Sequence, residues 1–199
     1  MSGMSLVQSV ILEGKQVQLV PLSHEHYDGL VEALKDGELW KLWYTSIPSP
    51  DGLRAEIDRR LALQAQGSMF PFAVIAKSTG QAVGMTTYMN IDTPNKRVEI
   101  GSTWYRKSVQ RTGLNTECKL LLLTHAFETL NTIAVEFRTH AFNRQSRAAI
   151  ERLGARLDGI LRQHQLAKNG TLRDTCVYSI LDREWPVVKC HLEFQLGSQ

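Results

Sequence analysis

The segment QRTGLNTE at positions 110–117 constrains this 199-residue chain more than any other part of it. It follows an apolar, strand-like run at residues 98–106 and precedes a leucine-rich, helix-like run at residues 119–130. A glycine-containing loop that leads from a strand into a helix presents the unpaired N–H groups of the first helical turn, and the helix dipole adds partial positive charge there. Phosphate groups commonly bind at such a helix start. The segment therefore predicts a site for a phosphate-bearing ligand, held by the main chain.

The hydrophobic pattern around this segment predicts one α/β domain. A strand at residues 17–22 precedes two amphipathic helices, at about 27–34 and 53–66, whose apolar residues recur at helical spacing. The later part alternates between strands and helices: strands are expected at 70–76, 82–90, 98–106, 133–141, 158–165 and 175–181, and helices at 114–130 and 143–153. A turn is expected at 168–170. We interpret residues 1–199 as a single domain with its core at about 17–185 and a C-terminal extension at 186–199.

Composition and cysteine usage exclude several classes of protein. The net charge of +3 is too small for a typical nucleic-acid-binding surface, and no apolar run approaches the roughly 18 residues of a membrane span. The N-terminus lacks the pattern of a signal peptide. The three cysteines, Cys118, Cys176 and Cys190, lie far apart and show neither metal-ligand spacing nor a disulfide framework. These observations predict a cytoplasmic protein with no metal, no nucleic-acid partner and no membrane association.

Three motifs in order resemble the GNAT N-acetyltransferase superfamily, and in particular its RimJ/RimL-like branch. The pyrophosphate loop of that family reads Gln/Arg-x-x-Gly-x-Gly/Ala; Gln110 and Gly113 match it, whereas Asn115 replaces the small residue. The second motif is NRQSRAAIERLGA at 143–155, and the third is RDT at 173–175 followed by Glu184 and Trp185. The resemblance implies a mixed, mostly antiparallel central sheet, splayed between its fourth and fifth strands and flanked by helices.

The resemblance also implies a reaction. The family transfers an acetyl group from acetyl-CoA to a primary amine by direct attack in a ternary complex, without a metal. The acceptor would be a protein N-terminus or a small-molecule amine, and a homodimer is a further expectation. Many relatives carry a tyrosine seven residues after the asparagine that corresponds to Asn143, and here that position is Ile150. The alternative is therefore a non-catalytic acyl-CoA-binding module that senses the cofactor or docks a partner.

The motifs assign coenzyme A to particular residues. Backbone donors of residues 111–116 would bind the pyrophosphate, supplemented by arginines, whose fork-shaped guanidinium groups suit phosphate oxygens. The main chain of residues 104–106 would pair with the pantetheine arm, and Asn143 would reach the arm from the far side. A plain helix cap is the alternative for Asn143, since asparagine favours that position. The predicted cofactor-binding residues are Trp104, Tyr105, Arg106, Arg111, Thr112, Gly113, Leu114, Asn115, Thr116, Asn143 and Arg147.

Two residues are the catalytic candidates. An alkylammonium group must lose a proton before it attacks, so a base is needed. Glu99, early on the fourth strand, is the predicted base; the alternative is a strand-surface glutamate paired with Arg97 or another cation. Ser146 could protonate the leaving sulfur or could simply cap its helix. It is also possible that no side chain is needed, because a thiolate is a tolerable leaving group. His140 is interpreted as a packed strand residue and not as a base.

The acceptor side is predicted from the aromatic loop after the first helix. Trp40, Trp43, Tyr44 and the loop at 48–50 would line the groove, with His164 and residues 168–170 opposite. Aromatic side chains suit an apolar acceptor, although packing within the core is the more common role for such residues. The sequence does not choose an acceptor.

Overall fold

A computed structural model describes residues 7–167 and 169–197. The strands of the described chain are β1 (Leu12–Glu13), β2 (Val17–Pro21), β3 (Met69–Ala76), β4 (Gln81–Asp92), β5 (Arg97–Tyr105), β6 (Ala134–His140), β7 (Arg156–Leu166) and β8 (Leu172–Leu181). The helices are α1 (Tyr27–Lys35), α2 (Leu53–Ala65), α3 (Gly113–Thr124), α4 (Arg144–Arg152) and α5 (Trp185–Gly197). The predicted order of elements is confirmed.

All eight strands form one sheet in the order β1-β2-β3-β4-β5-β6-β8-β7. Every neighbouring pair is antiparallel except β5 and β6, which run parallel. Because the short strand β1 comes first, the fourth and fifth strands of the predicted sheet are β5 and β6. The mixed, mostly antiparallel sheet confirms the predicted fold class.

Helices cover the two faces of the sheet unequally. On the face that we call the α1/α2 face, Leu30 of α1 and Ile57 of α2 pack with Trp104 of β5 in one apolar cluster. On the opposite face, which we call the α3 face, Leu122 of α3 and Phe137 of β6 belong to a second and larger cluster. That larger cluster also contains apolar residues of α4 and α5.

The sheet opens between β5 and β6. The two strands pair only over Arg97–Glu99 and residues 134–136, and the last pair joins Glu99 to Glu136. Beyond that pair the strands carry no ladder between them, and we call this opening the strand gap. The gap confirms the predicted splay. Since β5 and β6 are parallel, their carboxyl ends lie at the same edge of the sheet, and the gap opens towards that edge.

A β-bulge shapes β5 where it borders the strand gap. Met85 of β4 pairs with Trp104 and Thr87 with Gly101, so two residues of β5, Ser102 and Thr103, lie opposite one residue of β4. Ser102 has a φ of 48°, in the left-handed region. A bulge of this kind bends the strand and redirects its side chains and N–H groups. The curvature of β5 therefore has a local cause.

One helix differs from the sequence prediction, and two elements, β1 and α5, were not predicted. The long third helix ends at Thr124, and one turn of π-helix follows at His125–Thr129. The C-terminal extension, for which the sequence predicted no particular structure, forms helix α5, whose Trp185 stacks on Phe127 at 5.4 Å between ring centroids. In the turn predicted at 168–170, Lys168 lies outside the described residues. No helix in the described ranges is long and apolar enough to cross a membrane.

Candidate functional site

The predicted anion-binding segment forms the N-terminus of α3. A short 3-10 turn at Lys107–Val109 leads out of β5, and Arg111 adopts a left-handed φ of 61°. Thr112 is the N-cap: its hydroxyl accepts a hydrogen bond from the N–H of Leu114 at 3.3 Å and donates one to the carbonyl of Val109 at 2.7 Å. The helix begins at Gly113. The first-turn N–H groups that cannot bond within the helix are thus presented just beyond the end of β5.

Two helix starts lie side by side at the open edge of the strand gap. Helix α3 follows β5, and α4 begins at Arg144, four residues after β6 ends at His140. The side-chain amide of Gln145 donates to the side-chain oxygen of Gln110 at 3.5 Å, and Gln110 in turn donates to the carbonyl of Tyr105 at 3.0 Å. These contacts connect the end of β5 with the beginning of α4 across the gap. An anionic group at the edge would therefore meet both helix dipoles.

The three arginines predicted to bind phosphate differ in the hydrogen bonds that their side chains already make. Arg106 donates through Nε to Asp36 at 2.8 Å, and hydrogen bonds from Ser108 and Arg106 lower the pKa of that carboxyl. Arg147 donates through Nε to the hydroxyl of Tyr178 at 2.9 Å. By contrast, no side-chain hydrogen bond or ion pair to Arg111 occurs among the described residues. Of the three arginines, Arg111 needs the least rearrangement to reach an anion.

Three further polar residues of the predicted site differ in their hydrogen bonding. The side-chain oxygen of Asn143 accepts from the N–H of Ser146 at 3.0 Å, so Asn143 caps α4 as the alternative interpretation proposed. Thr116 is fully buried, and its hydroxyl accepts from Arg152 at 3.2 Å. The hydroxyl of Thr116 is therefore engaged, and because Thr112 is the N-cap, the N–H of Thr116 makes the first intrahelical bond of α3, to the carbonyl of Thr112. The side-chain oxygen of Asn115 is buried without a hydrogen-bond partner in the described structure.

Glu99 lies at the closed end of the strand gap, on the α1/α2 face. Its side chain is buried, accepts a hydrogen bond from the amide of Asn90 at 2.7 Å and lies 3.5 Å from Nε of Arg138. The pair with Arg97 does not form, because Arg97 binds Glu136; Arg138 is instead the other cation that the alternative interpretation included. Burial raises the pKa of Glu99, against the opposing effects of the Asn90 hydrogen bond and the charge of Arg138. A buried carboxylate with a raised pKa is a stronger base than an exposed one.

Ser146, the other catalytic candidate, lies in the first turn of α4 at the open edge. Within the described residues its hydroxyl has no hydrogen-bond partner, and no hydrogen bond connects it with Glu99. The two candidates therefore occupy opposite ends of the strand gap, and the structure does not bring them into contact.

A cluster of aromatic rings lies at the end of β6. The ring centroid of His140 lies 5.2 Å from that of Trp43 and 5.8 Å from that of Phe142. Nδ1 of His140 accepts from the N–H of Phe142 at 3.1 Å, so it carries no proton. Burial and the positive charge of Arg173 lower the pKa of His140. The prediction that His140 is a packed strand residue is confirmed. Trp43, half exposed, brings the predicted acceptor loop against β6.

Two buried cations that the sequence interpretation missed hold the bulge of β5 from opposite faces. On the α1/α2 face, Arg60 donates to the hydroxyl of Thr87 at 2.8 Å and to the carbonyl of Ser102 at 3.2 Å. On the α3 face, Lys119 donates to the hydroxyl of Thr103 at 3.1 Å. A signal for Lys119 was present, since it lies three and four residues before Leu122 and Leu123, on an apolar helix face.

Comparison with known proteins identifies the family. Residues 16–156 match the model of the acetyltransferase (GNAT) domain, which is more than half of the chain. The chain therefore belongs to the GNAT acetyltransferase family, and the predicted resemblance is confirmed.

Individual relatives agree with this assignment. The chain is 37% identical over 106 residues to a Bacillus subtilis protein named ribosomal N-acetyltransferase YdaF; the match covers 53% of this chain and 57% of YdaF. The chain thus spans little more than half the length of that relative. A solved GCN5-related N-acetyltransferase from Brucella melitensis superposes with a TM-score of 0.83 at 32% identity, covering 94% of this chain and 85% of that one. Mycobacterium smegmatis RimJ, solved in complex with CoA-disulfide, shares the fold with a TM-score of 0.75 at 21% identity, over 91% and 89% of the two chains.

Proposed function

We propose that the chain transfers an acetyl group from acetyl-CoA to a primary amine by direct attack in a ternary complex. The observation that carries this proposal is the strand gap, which opens towards the starts of α3 and α4. A long, flexible thioester with an anionic end matches this shape. The helix starts suit the pyrophosphate, and the unpaired edge of β5 suits the amides of the pantetheine arm.

The predicted cofactor residues other than Thr116 have a place in this proposal. The main-chain N–H groups of residues 111–115 would hold the pyrophosphate, with Arg111 as the first charged side chain to reach it. Arg106 and Arg147 would add a contact only through guanidinium nitrogens that their present partners leave available. The main chain of Trp104, Tyr105 and Arg106 would line the pantetheine arm, and Asn143 would contact the arm while it caps α4.

The chemistry would take place inside the gap. The free amine attacks the carbonyl carbon of the thioester, and the electron pair of the C=O double bond moves to oxygen. Glu99, directly or through water, takes the proton that the amine loses. Reformation of the C=O bond breaks the C–S bond, and the sulfur leaves as a thiolate that Ser146 or water protonates. The Asn90 amide keeps the carboxylate of Glu99 oriented at the closed end of the gap.

The acceptor would enter from the α1/α2 face, where the ring of Trp43 meets His140. The name of YdaF connects that relative to ribosomal substrates, and we extend this class to the present chain as a protein N-terminus, with a small-molecule amine as the other candidate. A cytoplasmic location and a homodimer belong to the same proposal.

Release of free thiol from acetyl-CoA tests the activity. The purified chain is incubated with acetyl-CoA and a panel of small amines and peptides with free N-termini, and thiol is followed with a colorimetric reagent. Amine-dependent thiol release, with the acetylated product identified by mass spectrometry, would support the proposal. Tight binding of acetyl-CoA in calorimetry without turnover on any acceptor would favour the non-catalytic sensor.

A further inference from the structure

Lys119 is a buried cation without a counter-ion. Its side chain is 7% exposed, although it belongs to the middle of α3. No carboxylate of the described residues lies within 4.0 Å of its ammonium group. An ammonium group has three N–H donors, and the described structure gives one of them an acceptor, the hydroxyl of Thr103 at 3.1 Å. Buried charges are normally paired, so an unpaired one indicates that a ligand completes the site.

The ammonium group lies beneath the strand gap. Thr103 belongs to the bulge of β5, and the ammonium also lies 6.0 Å from the centroid of the Phe137 ring, on β6. Thr103 and Phe137 both follow the last ladder pair, Glu99 with Glu136, so they stand on the two diverging strands. Lys119 therefore reaches from α3 to the floor of the opening through which the pantetheine arm would pass.

A second hydroxyl fixes the position of this group. Oγ1 of Thr103 lies 2.8 Å from Oγ1 of Thr86, on the neighbouring strand β4, and Thr86 is fully buried. The ammonium is thus held at the bulge by a chain of two hydroxyls, and no other acceptor among the described residues engages its remaining donors. Burial also lowers the pKa of Lys119 from 10.5 to about 8, so it is still largely protonated at neutral pH.

We propose that Lys119 is a catalytic residue whose ammonium group binds the carbonyl oxygen of the acyl thioester. This inference rests on the proposed function. When the amine attacks the carbonyl carbon, the C–N bond forms and negative charge develops on that oxygen; the ammonium stabilises the charge without giving up its proton. When the C=O bond reforms, the C–S bond breaks and the thiolate leaves. A preorganised donor in a site shielded from water is effective at this point of a reaction.

The test uses a spectroscopic signal that needs no acceptor. Acetyl-CoA labelled with carbon-13 at the carbonyl is bound to the wild-type chain and to Lys119→Met, and the carbonyl stretch is recorded by difference infrared spectroscopy. Methionine keeps the length and apolar character of the stem but removes the charge. We expect the stretch at lower wavenumber in the wild type than in the variant. Lys189→Met, which removes a lysine paired with Glu128 on α5, is the matched control and should leave the stretch unchanged.

Affinity measurements separate this inference from the proposed function. Calorimetry with coenzyme A, acetyl-CoA and succinyl-CoA should show that Lys119→Met binds coenzyme A as tightly as the wild type does. With an acceptor from the panel, kcat should fall about 100-fold or more, as when an oxyanion donor is removed. An identical carbonyl stretch in both proteins would overturn the role of Lys119 while the proposed function stands. Failure of the wild type to bind either coenzyme would overturn both.

Two further outcomes would also contradict the inference. An equal loss of affinity for coenzyme A and acetyl-CoA would place the ammonium on the pantetheine arm or on a phosphate. A loss confined to succinyl-CoA would place it on the carboxylate of an acidic acyl group. If Lys119→Met does not fold, the pair Thr103→Val and Thr103→Ser replaces it: serine keeps the hydroxyl that positions the ammonium and should keep the stretch, whereas valine should raise it.

Discussion

Replacing Lys119 with methionine should change how the stability of the ligand-free chain depends on pH. Burial lowers the pKa of Lys119 in the folded state from 10.5 to about 8, so the unfolded chain binds this proton more tightly than the folded chain does. The free energy of unfolding of the wild type therefore decreases relative to that of Lys119→Met as the pH falls from 10.5 to 8. Below pH 8 the loss is complete.

The shift sets the size of the effect. At about 1.4 kcal/mol per pKa unit, the full loss amounts to about 3 kcal/mol. Most of this loss, about 2 to 3 kcal/mol, falls between pH 10 and pH 7. The free energy of unfolding of Lys119→Met minus that of the wild type should therefore be larger at pH 7 than at pH 10 by this amount. The difference cancels other titrating groups, since both proteins share them.

Urea unfolding at a series of pH values from 7 to 10 measures this difference. Lys189→Met serves as the control. The hydrogen bond with Glu128 raises the pKa of Lys189, so this variant should not show the same trend. The burial argument is refuted if the difference in free energy of unfolding between Lys119→Met and the wild type changes by less than about 1 kcal/mol from pH 7 to pH 10. Extrapolation errors are of that order. Such a result would mean that the ammonium reaches water or an anion in the folded chain.

Four other substitutions test separate parts of the structure. Glu99→Gln should lower kcat and remove the acidic limb of the pH–rate profile, which the raised pKa of this carboxyl places above 4.5; full activity would exclude Glu99 as the base. Gly113→Trp should abolish binding of coenzyme A in calorimetry, and an unchanged affinity would contradict the assignment of the α3 start. Glu117→Gln should lower the free energy of unfolding by about 1 to 3 kcal/mol, because an amide cannot accept from all three N–H groups that this carboxylate binds; urea unfolding measures it. Arg60→Met should cost about 1 to 3 kcal/mol by the same method, since it leaves the hydroxyl of Thr87 and the carbonyl of Ser102 without their donor, while Glu56 keeps its hydrogen bonds with Arg59; a loss below about 1 kcal/mol would show that the bulge does not depend on it.

The order of strands and helices was accessible from the sequence because each long element has a clear hydrophobic period. Strand β1 was missed because two residues carry no period. Helix α5 was missed because the apolar residues of Trp185–Gly197 are distributed around the helix and not along one face. The bulge was missed for a different reason: the residue with a positive φ is Ser102, whereas glycine is the usual signal for that conformation.

The candidate site was only partly predictable. The start of α3 follows from local signals, namely the glycine-containing loop and the preceding strand. The partners of Arg106 and Arg147 could not be predicted, because Asp36 lies 70 residues from the first and Tyr178 lies 31 residues from the second. Contacts between distant segments depend on the register of the sheet, which the hydrophobic pattern does not specify to the residue. The same limit explains why Arg60 and Thr103 did not stand out in the sequence.

Both proposed roles of helix α3 lie on one rigid element. Its first residue, Gly113, begins the proposed pyrophosphate site, and Lys119, six residues later, reaches the proposed position of the thioester. At about 1.5 Å per residue these positions are roughly 9 Å apart along one rigid axis. The helix is anchored in turn by Glu117, whose carboxylate accepts the N–H groups of Lys15, Gln16 and Val17 at 2.7 to 3.0 Å. On these two proposals, a single element would set the spacing between the anion site and the reacting carbonyl, so a shift of α3 would disturb cofactor affinity and turnover together.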